Sequence, residues 1–203
     1  MSADIAILDY GVGNLHSVRK ALEAAGAQVR IVSDPHLLAD ADGLVLPGVG
    51  AFGDAAQKLA PYKDALFAQL DSGKPLLGIC LGMQLLFEAS DESPGATGLG
   101  YIRGHVKRLA HPKLPQIGWN TLAAVDGDEL FQGLPEGAHV YYVNSFAPKP
   151  EEPVTVATTT YGETFTAAVR KRFAWGVQFH PEKSGPAGLA MVRNFVRTVE
   201  EQA

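Results

Sequence analysis

The sequence predicts an α/β fold whose central sheet is mostly parallel, flanked by helices and lengthened by antiparallel strands. Three features of the chain support this prediction. Short apolar runs alternate with helix-length segments as far as residue 89, a pattern typical of parallel sheets. Short, aromatic-rich segments bounded by turn residues follow, and these favour antiparallel pairing. An amphipathic segment over 185–200 predicts a last helix that covers the sheet.

Length and composition limit the kinds of protein that this chain can be. Its 203 residues, 46% of them hydrophobic, suffice for one substantial core, so we expect a single domain over 1–203. A net charge of −5 with scattered basic residues argues against a nucleic-acid surface. The chain lacks both an apolar run of the ~18 residues that a membrane span needs and a signal-peptide pattern. We therefore expect a cytoplasmic protein with no membrane partner, and its one cysteine cannot form an internal disulfide.

The opening of the chain reads as a βαβ unit, with a strand over 4–9, a helix over 17–25 and a strand over 28–32. Gly11 and Gly13 suggest a dinucleotide-binding loop, but His16 stands where that fingerprint has its third glycine. Two interpretations remain open. The loop either presents Asn14 to a ligand or partner, or it is a purely structural turn.

A glycine-rich loop follows the third predicted strand, 43–46, and precedes helical segments over 54–71. Gly48, Gly50 and Gly53 leave its backbone exposed and mobile. No Gly-Lys-Ser/Thr follows, which argues against a phosphate-binding loop. At the carboxyl end of a strand in an open sheet, the loop's N–H groups can bind an oxyanion. A connector that binds no ligand is the alternative.

The chain is organised around Gly78-x-Cys80-x-Gly82, which lies between a predicted strand over 76–79 and a predicted helix over 81–89. This is the thiol form of the G-x-S-x-G elbow, in which small flanking residues allow a strained turn to expose a nucleophile. The pattern predicts that Cys80 is a nucleophile at the corner between strand and helix.

The predicted helix also supplies electrostatics to Cys80. Its unpaired N–H groups and positive dipole end favour the thiolate over the thiol. The N–H of Leu81 is the candidate donor to an oxyanion that forms on an attacked carbonyl. A buried cysteine that only packs at a strand end is the alternative interpretation.

Antiparallel strands are predicted for the second half of the chain, over 104–109, 116–123, 140–143, 154–160, 165–170 and 174–179. His180 and Glu182 follow the last of them, separated by a proline that favours extended geometry for His180. In an extended chain two residues apart project to the same side, so Glu182 can orient His180 as a base for Cys80. A histidine at a strand end beside a solvated glutamate is the alternative.

Five motifs, spread over nearly the whole chain, resemble in sequence and order those of the class I, triad-type glutamine amidotransferases. They are Asp-Tyr-Gly-Val-Gly-Asn-Leu at 9–15, Leu-Pro-Gly-Val-Gly-Ala-Phe at 46–52, Gly-Ile-Cys-Leu-Gly-Met-Gln-Leu-Leu at 78–86, Gly-Trp-Asn at 118–120 and His-Pro-Glu-Lys-Ser at 180–184. The first, second, fourth and fifth are most similar to those of the glutaminase subunits of imidazole glycerol phosphate synthases. The resemblance implies a flavodoxin-like amidotransferase domain.

The resemblance also implies roles for individual residues. Cys80 attacks the side-chain amide of L-glutamine, His180 transfers protons, and Glu182 orients His180. The backbone donors of the implied oxyanion hole are Val49 and Leu81. The implied substrate-binding residues are Gly48, Gln84 and Ser145. The family usually has His-Ser-Tyr at 144–146, where this chain has Asn-Ser-Phe, so only Ser145 is carried over.

The partner implied by the resemblance is a (β/α)₈-barrel cyclase subunit, joined in a heterodimer, which uses the ammonia to form imidazole glycerol phosphate and AICAR in histidine biosynthesis. No cofactor or metal is implied, and the histidines have no metal-ligand spacing. The implied interface residues are Asn14, Trp119, Tyr141 and Lys183. Three alternatives remain open: another amidotransferase branch, an amide hydrolase that works alone, and a non-catalytic flavodoxin-like module.

Overall fold

Strands and helices alternate through the first half of the chain, and short strands dominate the second. The computed structural model describes residues 2–124 and 127–203. The strands are β1 (Asp4–Leu8), β2 (Gln28–Val32), β3 (Gly43–Gly48), β4 (Leu76–Cys80), β5 (Ala89–Ser90), β6 (Gly104–Arg108), β7 (Gln116–Thr121), β8 (Ala123–Ala124), β9 (His139–Asn144), β10 (Phe146–Pro150), β11 (Thr155–Tyr161), β12 (Glu163–Lys171) and β13 (Ala174–Val177). The helices are α1 (Leu15–Ala24), α2 (Phe52–Leu59), α3 (Lys63–Asp71), α4 (Leu81–Gln84) and α5 (Gly185–Gln202), with 3₁₀ turns at Pro35–Asp40, Ala60–Tyr62, Glu129–Phe131 and Pro181–Lys183.

The central sheet has eight strands in the order β2-β1-β3-β4-β13-β12-β11-β8. Strands β1 to β4 pair in parallel, which confirms the prediction for the first half of the chain. The prediction for 174–179 is wrong in part, because β13 is antiparallel to β12 but parallel to β4. The position of β13 explains the difference. All its residues are buried, as expected for a strand covered on both faces of a sheet.

Helices cover both faces of the central sheet. Side chains of β1 alternate between the two layers: Ile5 and Ile7 pack with α1 and α5, whereas Ala6 and Leu8 pack with α2 and α3. The last helix lies close to the sheet, because a Cβ at Gly43 would stand only 2.6 Å from Val199 Cγ2. Among the residues described, no helix is long and apolar enough to cross a membrane.

Helix α4 is much shorter than the helix predicted over 81–89. It ends at Gln84 because the next carbonyl groups bond to a later loop: Leu85 O accepts from Leu99 N, and Leu86 O accepts from Ile102 N. These bonds replace the i to i+4 bonds that would continue the helix. The apolar periodicity that predicted a longer helix instead reflects complete burial of this segment.

Two small antiparallel units complete the fold. Strands β7 and β9 form a two-stranded ribbon, and β10, β6 and β5 form a three-stranded sheet. Strands β5 and β10 were not predicted from the sequence. Strand β10 contains Pro148 and Pro150, which lack the N–H donor of a regular ladder, and it is tolerated because it lies at the edge of its sheet.

Candidate active site

Cys80 lies at the corner between β4 and α4, as predicted, and its backbone has a φ of 54°. This left-handed conformation is uncommon for a residue with a side chain and marks a strained turn. The adjoining backbones are too close for larger residues. A Cβ at Gly82 would lie 1.8 Å from Leu46 O, and one at Gly48 would lie 2.8 Å from Gly82 N.

The short α4 changes the electrostatics expected at Cys80. Four residues align fewer peptide dipoles than the predicted longer helix, so the field at the sulfur is weaker than expected. Burial and side-chain contacts therefore matter more for this thiol. Cys80 is 8% exposed, and its Sγ lies 4.0 Å from Val143 O and 3.7 Å from Gln178 Nε2.

His180 and Glu182 form a buried pair beside the sulfur. His180 Nδ1 lies 2.8 Å from Glu182 Oε1, and the two side chains are 4% and 2% exposed. His180 also hydrogen-bonds to Cys80. The predicted proximity is present, although Pro181–Lys183 is a 3₁₀ turn rather than an extended segment. The turn presents Glu182 to the Nδ1 side of the ring, which leaves the other nitrogen for the sulfur.

Ser184, for which the sequence predicted no role, holds the histidine backbone. Its Oγ donates to His180 O at 2.6 Å and accepts from Tyr141 N at 3.0 Å. His180 N in turn donates to Tyr141 O at 2.9 Å. The first turn of α5 packs tightly below, because a Cβ at Gly188 would lie 1.9 Å from Pro181 O. His180 is therefore fixed to β9 by its backbone as well as to Glu182 by its ring.

The environment of His180 changes its proton affinity. Burial disfavours the charged ring and lowers its pKa, but the hydrogen bonds and negative charges of Cys80 and Glu182 outweigh burial and raise the pKa to about 9. The imidazolium is thus the dominant form at neutral pH. Because the folded-state pKa lies above the unfolded value of 6.5, its stabilising contribution is complete below pH 6.5 and disappears as the pH rises through about 9.

A titration tests this balance. We expect the ring ¹⁵N signals of His180 to titrate with a midpoint near pH 9, and the midpoint to fall in both Glu182→Gln and Cys80→Ser, because each substitution removes a negative neighbour. Exposed His36 provides the internal control and should keep its midpoint in all three proteins. A midpoint for His180 that stays the same in both variants would contradict the assignment of these two groups as the cause.

A pocket of about 280 Å³ opens above the sulfur. It is lined by Val49, Gly50, Cys80, Leu81, Gln84, Glu92, Pro115, Val143, Asn144, Ser145, Phe146, His180 and Lys183. Of the residues predicted to contact substrate or an oxyanion, only Gly48 is not in the lining; it is buried opposite Cys80 in the β3–β4 register. A larger cavity of about 660 Å³, bounded by residues between 122 and 138, contains none of the predicted site residues.

The glycine-rich loop over 48–50 borders the pocket and is anchored on its strand side. Tyr10 Oη donates to Pro47 O at 2.6 Å, and burial, followed by the charge of Cys80, raises the pKa of Tyr10, so this hydroxyl keeps its proton. Val49 is 43% exposed and Gly50 has a φ of 98°, a conformation that favours glycine. The loop is thus fixed at Pro47 and open beyond it.

Glu92 is a pocket residue that was not predicted from the sequence. Its Oε2 accepts from Phe52 N at 2.8 Å, at the start of α2, and it is the one carboxylate in the pocket lining. The neighbouring Ser93 Oγ accepts from Gly53 N at 3.0 Å but does not line the pocket. Glu92 lies in a Pro/Gly/Ser loop with no periodic pattern, so no local signal in the sequence could have indicated it.

Segment 144–146, where the sequence departs from the resembling family, forms one wall of the pocket. Asn144 Nδ2 donates to Phe146 O at 3.1 Å, while Asn144 Oδ1 is buried without a hydrogen-bond partner among the described residues. Ser145 O accepts from Leu109 N. Asn144 therefore braces the backbone of this wall.

The predicted interface residues lie around the same end of the molecule. Trp119 and Tyr141 stack edge to face with ring centroids 5.9 Å apart, on the outer face of the β7–β9 ribbon. Ile117 and Val143 share this face, and with Trp119 they are 38% to 64% exposed. We call these four residues the ribbon face.

Two predicted interface residues lie off the ribbon face. Lys183 is exposed at the pocket rim. Asn14 is also exposed, and its side chain caps α1 by accepting from Ser17 N.

The described residues include no group of three or more His, Cys, Asp or Glu side chains placed to hold a metal ion. The chemistry of the site is therefore discussed through its own side chains and backbone.

Comparison with known proteins gives one consistent result. Residues 6–199 match the family model for glutamine amidotransferase class-I. The chain is 49% identical to imidazole glycerol phosphate synthase subunit HisH of Pyrococcus furiosus, over 95% of this chain and 98% of that protein. It is 47% identical to the protein of the same name from Symbiobacterium thermophilum, over 97% of this chain and 95% of that protein.

Solved structures share the fold at lower sequence identity. The structure of a GMP synthase glutaminase-type chain from Thermoplasma acidophilum superposes with a TM-score of 0.78 at 23% identity, covering 99% of this chain and 96% of that one. PurLQS from Thermotoga maritima gives a TM-score of 0.77 at 19% identity, covering 98% and 99%. At these identities the structures show the fold alone. Taken with the family match and the full-length relatives, they establish that the chain belongs to the class-I glutamine amidotransferases, in the group of imidazole glycerol phosphate synthase HisH subunits.

Proposed function

We propose that this chain is the glutaminase subunit of an imidazole glycerol phosphate synthase in histidine biosynthesis, a single cytoplasmic domain over 1–203. It hydrolyses L-glutamine to glutamate and passes ammonia to a cyclase subunit. The observation that carries the proposal is the buried contact series from Cys80 to His180 to Glu182 beside an open pocket. A nucleophile, a base and a group that orients the base are the parts that acyl transfer needs.

The first half of the reaction forms a thioester. Cys80 Sγ attacks the side-chain amide carbon of glutamine, and the electron pair of the C=O bond moves to the oxygen. When this adduct collapses, the C–N bond breaks and protonated His180 gives its proton to the leaving nitrogen, so ammonia departs. The raised pKa of His180 supports this step, because the ring carries the required proton at neutral pH.

The second half releases glutamate. His180, now neutral, takes a proton from a water molecule as the oxygen of that water attacks the thioester carbon. The C–S bond then breaks, glutamate leaves, and the thiolate and imidazolium are restored. Glu182 holds Nδ1 at 2.8 Å throughout, which keeps the other ring nitrogen directed at the reacting atoms.

The oxyanion of both adducts is assigned to the backbone N–H groups of Val49 and Leu81, which both line the pocket. Gly48 allows the two segments to approach, since any Cβ there would meet the backbone at Gly82. The α-ammonium group of glutamine is assigned to Glu92 and to Gln84 Oε1. Ser145 lies in the opposite wall, where it is assigned to the amino-acid end of the substrate.

The partner is proposed to be a (β/α)₈-barrel cyclase, forming a heterodimer. The relatives are named as subunits of a synthase, which supports a partner chain. The chemistry also favours direct transfer, because ammonia released into water is largely protonated and therefore not nucleophilic. The ribbon face, a contiguous apolar surface beside the pocket, is the proposed docking surface together with Asn14 and Lys183.

A glutaminase assay with and without the cyclase and its ligand tests the proposed function. We expect slow hydrolysis by the isolated chain and a stimulation of about 10² to 10³-fold in the complex, the usual effect of one oxyanion-hole donor. The reason is that the loop after Pro47 is free to turn, so completing the donor pair at Val49 can serve as the switch. Full activity without a partner would indicate a hydrolase that works alone, and no labelling of Cys80 by a glutamine-analogue electrophile would indicate a non-catalytic module.

Interface variants test the docking surface. We expect Trp119→Ala and Lys183→Ala to weaken both cyclase affinity and cyclase-stimulated activity, with the larger loss for Trp119 because large aromatic side chains dominate interface energies. Leu37→Ala is the matched control, since Leu37 is an exposed apolar side chain outside the ribbon face. Titration calorimetry gives the affinity. Wild-type affinity and stimulation in both interface variants would show that the docking surface lies elsewhere.

A further inference from the structure

Gln178 lies two residues before His180 and has no part in the mechanism above. Its side chain is fully buried, and its amide stands between the nucleophile and a second amide. Gln178 Nε2 donates to Cys80 Sγ at 3.7 Å, and Gln178 Oε1 accepts from Gln84 Nε2 at 2.9 Å. A buried amide with both ends engaged has one fixed orientation.

Gln84 connects this arrangement to the pocket. Its Nε2 is held from two sides, by Gln178 Oε1 and by Phe146 O at 3.2 Å. Its Oε1 accepts no hydrogen bond from any residue that the structure describes, and Gln84 is part of the pocket lining. The two amides therefore form a continuous series whose acceptor end serves the pocket and whose donor end reaches the sulfur.

We propose that Gln178 is a catalytic residue that stabilises the Cys80 thiolate, and that Gln84 and Gln178 relay the binding of the substrate's α-ammonium group to the nucleophile. This inference rests on the proposed glutaminase function. An ammonium group that donates to Gln84 Oε1 polarises that amide and makes its Nε2 a stronger donor to Gln178. Gln178 is polarised in turn, and its hydrogen bond to the sulfur is strengthened, because hydrogen bonds in series reinforce one another by ~10 to 30% each.

Amides suit this task because they do not titrate. His180 must give up its proton during ammonia release, and in that state it no longer offers positive charge to the sulfur. The N–H groups of Gln178 keep their protons throughout, so one donor to Sγ is retained at every stage of turnover. The relay also gives specificity, because a ligand that lacks the α-ammonium group leaves the thiolate less stabilised.

Gln178→Met in the assembled complex tests the contact with sulfur, since Met matches Gln in length and lacks the donor. We expect iodoacetamide to alkylate Cys80 about 10-fold more slowly at neutral pH, with the whole pH profile displaced to higher pH. Gln116→Met is the matched control: Gln116 is a buried glutamine whose Oε1 has no partner among the described residues, and it should give the wild-type profile. A wild-type profile in folded Gln178→Met overturns the contact.

A substrate analogue tests the relay without relying on the stability of a variant. Glutaramate, which is glutamine without its α-amino group, should be hydrolysed by the wild-type complex with a lower kcat as well as a higher KM. In Gln178→Met the kcat ratio of glutamine to glutaramate should shrink by about 3-fold or more. A wild-type kcat equal for both compounds, or a ratio unchanged in the variant, overturns the relay. Absence of wild-type glutaminase activity would instead overturn the proposed function itself.

Discussion

Cys80→Ser in the assembled enzyme should abolish glutamine-dependent synthesis and leave synthesis from added ammonia at the wild-type rate. A serine hydroxyl at this corner keeps its proton at neutral pH, so the thioester step loses its nucleophile, with an expected loss of at least about 10³-fold. The chemistry of the cyclase needs only ammonia and does not involve the substituted residue. Product formation measured in parallel with glutamine and with an ammonium salt separates the two effects.

The same pair of assays ranks the other two members of the triad. His180→Ala should be comparably severe, because it removes both the proton donor and the base. Glu182→Ala should be milder, since water or a neighbouring group can partly replace the hydrogen bond to Nδ1. Glutamine use that survives in Cys80→Ser would refute the assignment of the nucleophile, while loss of both activities would indicate a damaged complex.

Gly82→Ala should destabilise the whole fold as well as the site. The added Cβ would lie 1.8 Å from Leu46 O, a backbone atom in the centre of the sheet, so no side-chain rotation can relieve the overlap. The strands β3 and β4 or the turn at Cys80 must move apart. We expect a loss of about 3 kcal/mol or more in the free energy of unfolding, measured by urea denaturation, together with loss of glutaminase activity.

Gly53→Ala is the control for this substitution. Its Cβ would approach only the side chain of Ser93, at 3.0 Å, which can rotate, and the residue lies at the start of α2. We expect a change of less than about 1 kcal/mol. If Gly82→Ala unfolded at the wild-type urea concentration and kept its activity, the turn at Cys80 would be far more adaptable than the structure indicates.

Local pattern was sufficient to predict the parallel half of the sheet and the corner at Cys80. Both depend on features within a few residues, namely apolar runs, glycines and a nucleophile at a strand end. The length of α4 could not be predicted in this way, because the carbonyls of Leu85 and Leu86 are taken by a loop more than ten residues later. Strand β10 was missed for a related reason: Pro148 and Pro150 indicate a loop unless its edge position is known.

The candidate site divides along the same line. Neighbours in sequence, such as His180 and Glu182, were predicted to lie together from their spacing, and the structure shows them in contact. Glu92 and Gln178 were missed because their relevance arises from the fold, which brings residues far apart in the chain around one pocket. The direction of Gln84 Nε2 also depends on such a contact, and it points to Gln178 rather than into the pocket.

The two backbone bonds between β9 and the residues at 180 and 184 have a mechanical consequence. Tyr141 belongs to the ribbon face through its side chain, while its N–H and C=O are bonded to Ser184 Oγ and His180 N. A surface residue and the general base therefore share one hydrogen-bonded unit with no intervening side chain. Any displacement of β9 along its axis, by an ångström or less, must be followed by the imidazole, so pressure on the outer surface reaches the proton donor without a long series of rearrangements.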